Sequence, residues 1–233
     1  MENHVAIVTG GARGIGKQTI LSLAKKGIHI AINYLHSKEE ATLLATYIQQ
    51  KYHIKALAIQ GDVSSLEDVC TLITEAKAYF GTIDILIHNA GPFITERKKL
   101  SHYTLKEWHN MMDGNLNSFF YLLKGILPLM EEQKWGRIVV MGFNQVTHAP
   151  AWQYRGAYAA AKSGVASLVK TLALEEAENH ITINMVCPGD IKNQYKEMSI
   201  QKARTEDQKS HRAETGEDIA RVIAFYVRMI QII

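Results

Sequence analysis

Short, continuous apolar runs alternate with longer amphipathic stretches along this chain. The apolar runs fall at residues 5–8, 28–33, 56–60, 83–87, 137–141 and 182–186. Between them, residues 14–26, 38–52, 66–80, 106–133 and 157–178 carry apolar side chains at helical spacing. Strands that lack polar alternation are buried on both faces. Strands of that kind, separated by helices, predict an α/β fold with a parallel sheet covered on two sides. No repeat, low-complexity tract or Pro/Gly/Ser-rich linker breaks the series, so the chain reads as one domain over residues 1–233. Residues 190–212 are polar and weakly periodic; they predict a mobile lid between the last strand and a helix at 217–229.

The first apolar run ends in Thr9-Gly10-Gly11-Ala12-Arg13-Gly14-Ile15-Gly16 and leads into a helical pattern. This is how a strand presents a dinucleotide phosphate to a helix start. Gly10 permits the tight turn, Gly14 lets the backbone approach a pyrophosphate, and Gly16 lets the helix lie close to the strand. The free N–H groups and the helix dipole favour the negative charge. The Lys-Ser/Thr ending of an ATP-binding loop is missing, so the motif points to a dinucleotide.

Composition narrows the classes further. The chain has 233 residues, 47% hydrophobic, enough for one sizeable core. The net charge of +3 comes from basic residues that are scattered and form no run, which argues against nucleic acid. The charge cluster Glu96-Arg97-Lys98-Lys99 reads as a solvated loop surface. Cys70 and Cys187 are the two cysteines and lack a CxxC partner, which predicts a reduced, cytoplasmic setting. No signal-peptide pattern or membrane-spanning stretch is expected. The ten histidines show no metal-ligand spacing, so no metal is expected.

Further landmarks come in order: Asp62-Val63, Asn89-Ala90-Gly91, Asn115-Leu116, Tyr158-Ala159-Ala160-Ala161-Lys162 and Pro188-Gly189. With the glycine loop, they make the chain resemble the short-chain dehydrogenase/reductase family over almost its whole length. Within it, the 3-oxoacyl-acyl-carrier-protein-reductase-like members are the most similar. The resemblance implies a Rossmann-type, doubly wound parallel sheet. It also implies hydride transfer between a nicotinamide and a small-molecule carbonyl or alcohol substrate. By the same resemblance Tyr158 is the acid/base, Lys162 holds the nicotinamide ribose, and Asn115 keeps a water in a proton relay. Thr9 is expected to shape the Asn89 loop. Cofactor contacts are implied at Gly10, Arg13, Gly14, Ile15, Gly16, Tyr34, Ser37, Asp62, Val63, Asn89, Ala90, Gly91, Tyr158, Lys162, Pro188, Gly189 and Ile191.

Physical reasoning supports the central pair. Tyr158 and Lys162 stand at i and i+4, on one helix face. A phenol titrates near 10, and a lysine ammonium about 4 Å away at an effective dielectric near 20 is worth ~4 kcal/mol, about 3 pK units. A lowered Tyr158 pKa is therefore expected. The second strand ends Asn33-Tyr34-Leu35-His36-Ser37-Lys38, with no carboxylate before Glu39 to bind a ribose 2′-hydroxyl. With Arg13 in the glycine loop and Ser37 as a donor, NADP(H) is expected to be preferred over NAD(H).

The pattern fails in two places. The family places a serine after the fifth strand to bind the substrate oxygen, and no serine occurs between Ser118 and Ser163. Strand alignment puts Phe143 there; counting back from Tyr158 puts Gln145 there. Asn144, Gln145, Thr147 or no residue at all replaces the donor. A dinucleotide-binding protein with weak or lost catalysis is thus the alternative function. The second departure is at the C-terminus, where the chain ends Met229-Ile230-Gln231-Ile232-Ile233 and the family's seventh strand is missing. Loss of that edge predicts a dimer or a loosened tetramer where the family usually forms tetramers.

Overall fold

The computed structural model describes residues 3–206 and 212–228. The six strands are β1 (Val5–Thr9), β2 (His29–Tyr34), β3 (Ala56–Gln60), β4 (Ile85–His88), β5 (Gly136–Met141) and β6 (Ile181–Val186). They form one sheet in the order β3-β2-β1-β4-β5-β6, and every neighbouring pair is parallel. This is the doubly wound Rossmann-type arrangement. β1 and β5 are buried at every position, as their unbroken apolar runs require.

Helices cover both faces: α1 (Gly14–Ala24), α2 (Lys38–Tyr52), α3 (Leu66–Phe80), α4 (Leu105–Met112), α5 (Ser118–Gln133), α6 (Gly156–Glu175), α7 (Ile200–Glu206) and α8 (Gly216–Arg228). One core layer joins α1, α2 and α8 to the sheet through Ile20, Leu23, Leu44, Ile48, Ile223 and Val227. The opposite layer joins α3, α5 and α6 through Leu72, Ile73, Phe119, Leu122 and Val165. Local chemistry sets the helix ends. The Ser65 hydroxyl accepts the Asp68 N–H at the start of α3, and Gly81, at φ 87, ends it. Thr104 and Glu107 cap α4 reciprocally.

Three expectations gain detail. The single helix expected at 106–133 is helical throughout, with a π turn at Asp113–Asn117 joining α4 directly to α5. The lid region is not featureless: it holds a 3-10 turn, Asn193–Tyr195, and α7. Its residues 207–211 lie outside the described residues, as does the hydrophobic tail 229–233. The charge run is the expected loop surface, exposed at Glu96, Arg97 and Lys99, while Lys98 pairs with Glu107 of α4 and with Glu96.

Among the described residues no strand follows β6, which is the sheet edge. None of their helices is long and apolar enough to cross a membrane. The strand order reverses between β1 and β4, so the loops after these two strands flank a crevice at the carboxyl edge of the sheet.

Candidate active site

The crevice begins at the glycine loop. Gly10 and Gly14 have φ of 60° and 59°, a left-handed backbone that L side chains rarely adopt. A Cβ on Gly16 would stand 2.4 Å from the Gly10 carbonyl oxygen, so only glycine lets α1 approach the loop. The loop is fixed from below. Thr9 Oγ1 accepts the N–H groups of Asn89 and Ala90, each at 3.0 Å, and the Asn89 amide donates to the Thr9 and Gly10 carbonyls. Behind Thr9 the buried His88 ring links Thr9 Oγ1 to Ser118 Oγ at 3.0 and 3.1 Å. Burial, with the Lys162 charge nearby, lowers the His88 pKa to about 3 and keeps the ring neutral.

An anionic group already stands at the start of α1. Glu197 Oε1 accepts the Gly14 N–H at 2.9 Å, Glu197 Oε2 pairs with Lys17 at 2.8 Å, and Gln18 donates to the Glu197 carbonyl. Partial burial pushes this carboxyl up. The Lys17 hydrogen bond, the Gly14 N–H and the charges of Lys17 and Arg13 outweigh burial and hold it below the usual range. A helix start that draws in a carboxylate has the donor chemistry for a dinucleotide phosphate. The left-handed glycine cradle and the exposed Arg13 beside it fit the same group.

On the other side of the crevice, α6 supplies Tyr158 and Lys162. Lys162 is 3% exposed, donates from Nζ to the Met141 carbonyl at 2.8 Å, and lies 5.9 Å from the Tyr158 ring centroid. Burial lowers its pKa to about 8, against a small opposing effect of the neighbouring Cys187 thiol. Burial raises the Tyr158 pKa to about 12. The expected lowering of the phenol by Lys162 is therefore corrected. The ammonium is spent on the Met141 carbonyl and is itself costly to keep charged, so desolvation governs both groups.

Asn115 sits in the π turn, a helix irregularity often found at functional sites. Its Nδ2 donates to the Pro92 and Met111 carbonyls, both at 3.0 Å. Its Oδ1 is buried and lacks a partner. A Cβ on Gly91 would stand 2.5 Å from that oxygen, which accounts for glycine at that position.

These groups share one cleft of about 880 Å³, lined by Ile15, Asn89, Gly91, Asn115, Tyr158, Lys162, Pro188, Gly189 and Ile191, among others. Phe143 and Gln145, the two positions at which the serine was expected, both line this cleft. Phe143 carries no donor. It is 8% exposed, with its ring 5.9 Å from that of Tyr158. Asn144 and Gln145 also line the cleft; Thr147 does not, and its hydroxyl meets the ring of His148 instead. The remaining predicted cofactor residues stand apart, at the ends of β2 and β3. Tyr34 is packed into the core, Ser37 starts α2 without capping it, and Val63 is buried. The Asp62 carboxylate is held by the N–H and hydroxyl of Ser64. Sequence reasoning missed Phe93, Trp152, Arg155, Lys196 and Glu197, all of which sit at the cleft or its glycine-loop end. None of these carries a periodic or spacing signal. Among the described residues no group of three or more His, Cys, Asp or Glu side chains is arranged to hold a metal.

The geometry agrees with what this chain is similar to. A family model described as short chain dehydrogenase matches residues 4–204. "Putative oxidoreductase YtkK" of Bacillus subtilis is 45% identical over 224 residues, covering 94% of this chain and 88% of that protein. The 3-oxoacyl-acyl-carrier-protein reductase FabG of Staphylococcus epidermidis is 36% identical over 189 residues, 81% of this chain and 75% of FabG. A solved structure described as a "putative 3-oxoacyl-reductase from bacillus thuringiensis" superposes with a TM-score of 0.88 at 45% identity, covering 95% of this chain and 89% of that one. A metagenomic short-chain oxidoreductase solved with NADP has a TM-score of 0.83 at 23% identity, over 98% of this chain and 92% of that one, and shares the fold.

Proposed function

Because the chain belongs to the short-chain dehydrogenase/reductase family, whose FabG-like oxidoreductases it resembles, we propose that it is an NADP(H)-dependent reductase of small-molecule carbonyl compounds. The observation that carries this reading is the meeting of Tyr158, Lys162 and the unpartnered Asn115 Oδ1 in one cleft beside the glycine loop. Bound NADP(H) supplies or accepts a hydride at its nicotinamide ring. The glycine loop with Arg13 would hold its phosphates, and Lys162 with Pro188, Gly189 and Ile191 would line its nicotinamide end.

Each residue then has a stated task. With a pKa of about 12, Tyr158 keeps its proton at neutral pH, the form that donates to a carbonyl oxygen. Lys162, with a pKa of about 8, exchanges a proton readily near neutrality and replenishes the phenol. Asn115 Oδ1 offers an acceptor to a water that passes protons onward. The reading extends to one nucleotide-binding domain over residues 1–233, assembling as a homo-oligomer in the cytoplasm without nucleic-acid or membrane partners.

A second reading, a dinucleotide-binding regulatory or interaction protein with weak chemistry, is favoured by Phe143 alone. Losing one preorganised donor to a substrate oxygen costs ~10²–10³ in rate. The discriminating experiment follows NADPH oxidation by purified protein against a panel of ketones, quinones, pterins and 3-oxoacyl thioesters, with Tyr158→Phe as control. Carbonyl-dependent oxidation lost in Tyr158→Phe supports the reductase. Turnover that survives Tyr158→Phe removes the mechanism, and tight binding with no turnover favours the second reading.

A further inference from the structure

Three aromatic rings close around the phenol that would meet the substrate. Phe93 stands edge-on to Tyr158, with centroids 5.0 Å apart and planes at 89°. Trp152 lies 5.9 Å from Tyr158 and 4.9 Å from Phe143, and Phe93 lies 6.1 Å from Trp152. Phe143, one of the two positions where a small hydroxyl donor was expected, completes the set 5.9 Å from Tyr158. Phe93 comes from the loop after β4, and Phe143 and Trp152 from the connection between β5 and α6.

The cluster is held by contacts that do not depend on substrate. Arg155 stacks its guanidinium 5.1 Å from the Phe93 centroid and donates to the Thr95 and Glu96 carbonyls at 2.7 and 2.6 Å. That ties the Phe93 loop to the segment that begins α6. Phe143 is anchored from behind by Val146, Ala159 and Ala166. Phe93 and Trp152, by contrast, are 45% and 39% exposed, large apolar faces turned to the cleft and open to a ligand.

The geometry points to a flat, conjugated ketone, an aryl ketone, as the substrate class of this cleft, with Phe143 and Trp152 as the residues that select it. This rests on the reductase reading above. A planar ring offers two π faces to Phe93, Trp152 and Phe143, and such aromatic pairs are worth roughly 2- to 10-fold each in affinity. A flexible acyl chain gains burial but no stacking, and between Ser118 and Ser163 it meets no serine hydroxyl to bind the keto oxygen of a thioester. In the reaction the carbonyl π bond breaks and the carbonyl carbon gains a hydride while NADPH is oxidised to NADP⁺. The oxygen takes the Tyr158 proton, and the ketone leaves as a secondary alcohol.

The test uses the purified full chain and three probes: NADPH, 2-acetylnaphthalene as the aryl ketone and acetoacetyl-coenzyme A as the flexible thioester. NADPH binding is read by its own fluorescence, and aryl ketone binding by quenching of tryptophan emission, with Trp152→Leu as the control. The expected result is a kcat/KM for 2-acetylnaphthalene at least 10-fold above that for the thioester. Trp152→Leu should weaken aryl ketone binding about 3- to 10-fold without changing NADPH affinity. Phe143→Ser should shift the preference toward the thioester; circular dichroism checks that it folds, and Trp152→Leu, at an exposed position, decides the matter if it does not. NADPH-dependent, Tyr158-dependent turnover that prefers the thioester, or an aryl preference unmoved by Trp152→Leu, overturns the substrate class and leaves the reductase reading intact. Absence of NADPH binding, or turnover indifferent to Tyr158→Phe, overturns the reductase reading itself. Tryptophan quenching that 2-acetylnaphthalene does not produce overturns the aromatic site in either case.

Discussion

Glu197 reaches back from the segment between β6 and α7 to accept the Gly14 N–H at 2.9 Å, closing the glycine loop with a carboxylate. The same carboxylate pairs with Lys17, and its carbonyl receives the Gln18 amide, so the contact spans the first turns of α1. A phosphate that binds this helix start competes with it directly. Glu197→Gln keeps the size and removes the charge. NADPH affinity should then rise about 2- to 5-fold, the usual worth of one charge at a helix start. Fluorescence titration of NADPH reads this, and an unchanged Kd would show that the carboxylate and the dinucleotide do not share the site.

Arg13 is exposed next to the same loop, and the end of β2 offers no carboxylate. Asn33, which might otherwise have faced a ribose, is buried and turned inward: its side chain meets the Gly10 N–H and donates to the Gly61 carbonyl. The wild-type protein should therefore bind NADPH more tightly than NADH. Arg13→Ala should shrink that gap by roughly tenfold, as expected for one charge-assisted contact to phosphate. Paired titrations with the two dinucleotides check it; equal wild-type affinities would remove the argument.

Much of this was legible in the chain, and the reasons are local. The six strands sit within two residues of their apolar runs, most cleanly β1 and β5, which are buried at every position. Gly10, Gly14 and Gly16 announced the turn after β1 through a backbone requirement that few other residues meet. The i, i+4 spacing put Tyr158 and Lys162 on one face of α6, but spacing says nothing of burial, and burial reversed the expected direction of the Tyr158 shift. The π turn that carries Asn115 lies inside an unbroken helical stretch, so apolar spacing alone predicted helix there and did not show the wider turn. The aromatic cluster was hidden for another reason. Phe93 lies some fifty residues from Phe143 and Trp152, which are themselves nine apart, and only the tertiary fold brings them to Tyr158.

Lys162 sets a conflict between stability and function. Its amine is buried, and its pKa in the folded chain is about 8, below the ordinary 10.5. The unfolded chain thus binds that proton more tightly, so the charged amine penalises folding below pH 8. The penalty is relieved as pH rises from 8 toward 10.5. At pH 7 it amounts to about 3 kcal/mol. Lys162→Met should therefore raise the Tm of the free protein by about 5 °C at pH 7, after allowing for the lost bond to Met141. The advantage should fade between pH 8 and 10.5, and turnover should be lost at every pH. Thermal melts across that range decide it; a variant less stable than wild type at pH 7 would mean that the Met141 hydrogen bond outweighs the buried charge.

Assembly offers the last test. Leu105 of α4, Phe120 of α5 and Leu174 of α6 are 79%, 51% and 82% exposed, more than an isolated surface gains from large apolar side chains. α5 and α6 are the long helices on this face of the sheet, and a two-fold contact between copies would cover their outer sides with self-complementary surface. At the far edge β6 has one strand neighbour among the described residues, β5, and its other side presents unpaired N–H and C=O groups among them. The expected species at micromolar concentration is a dimer, or a tetramer that dilution splits into dimers. Phe120→Glu should carry it to monomers, because a buried charge with no partner opposes the contact on both copies at once. Light scattering with and without that substitution reads the mass. A tetramer that resists both dilution and Phe120→Glu would place the assembly on surfaces other than α5 and show that the edge at β6 costs it nothing.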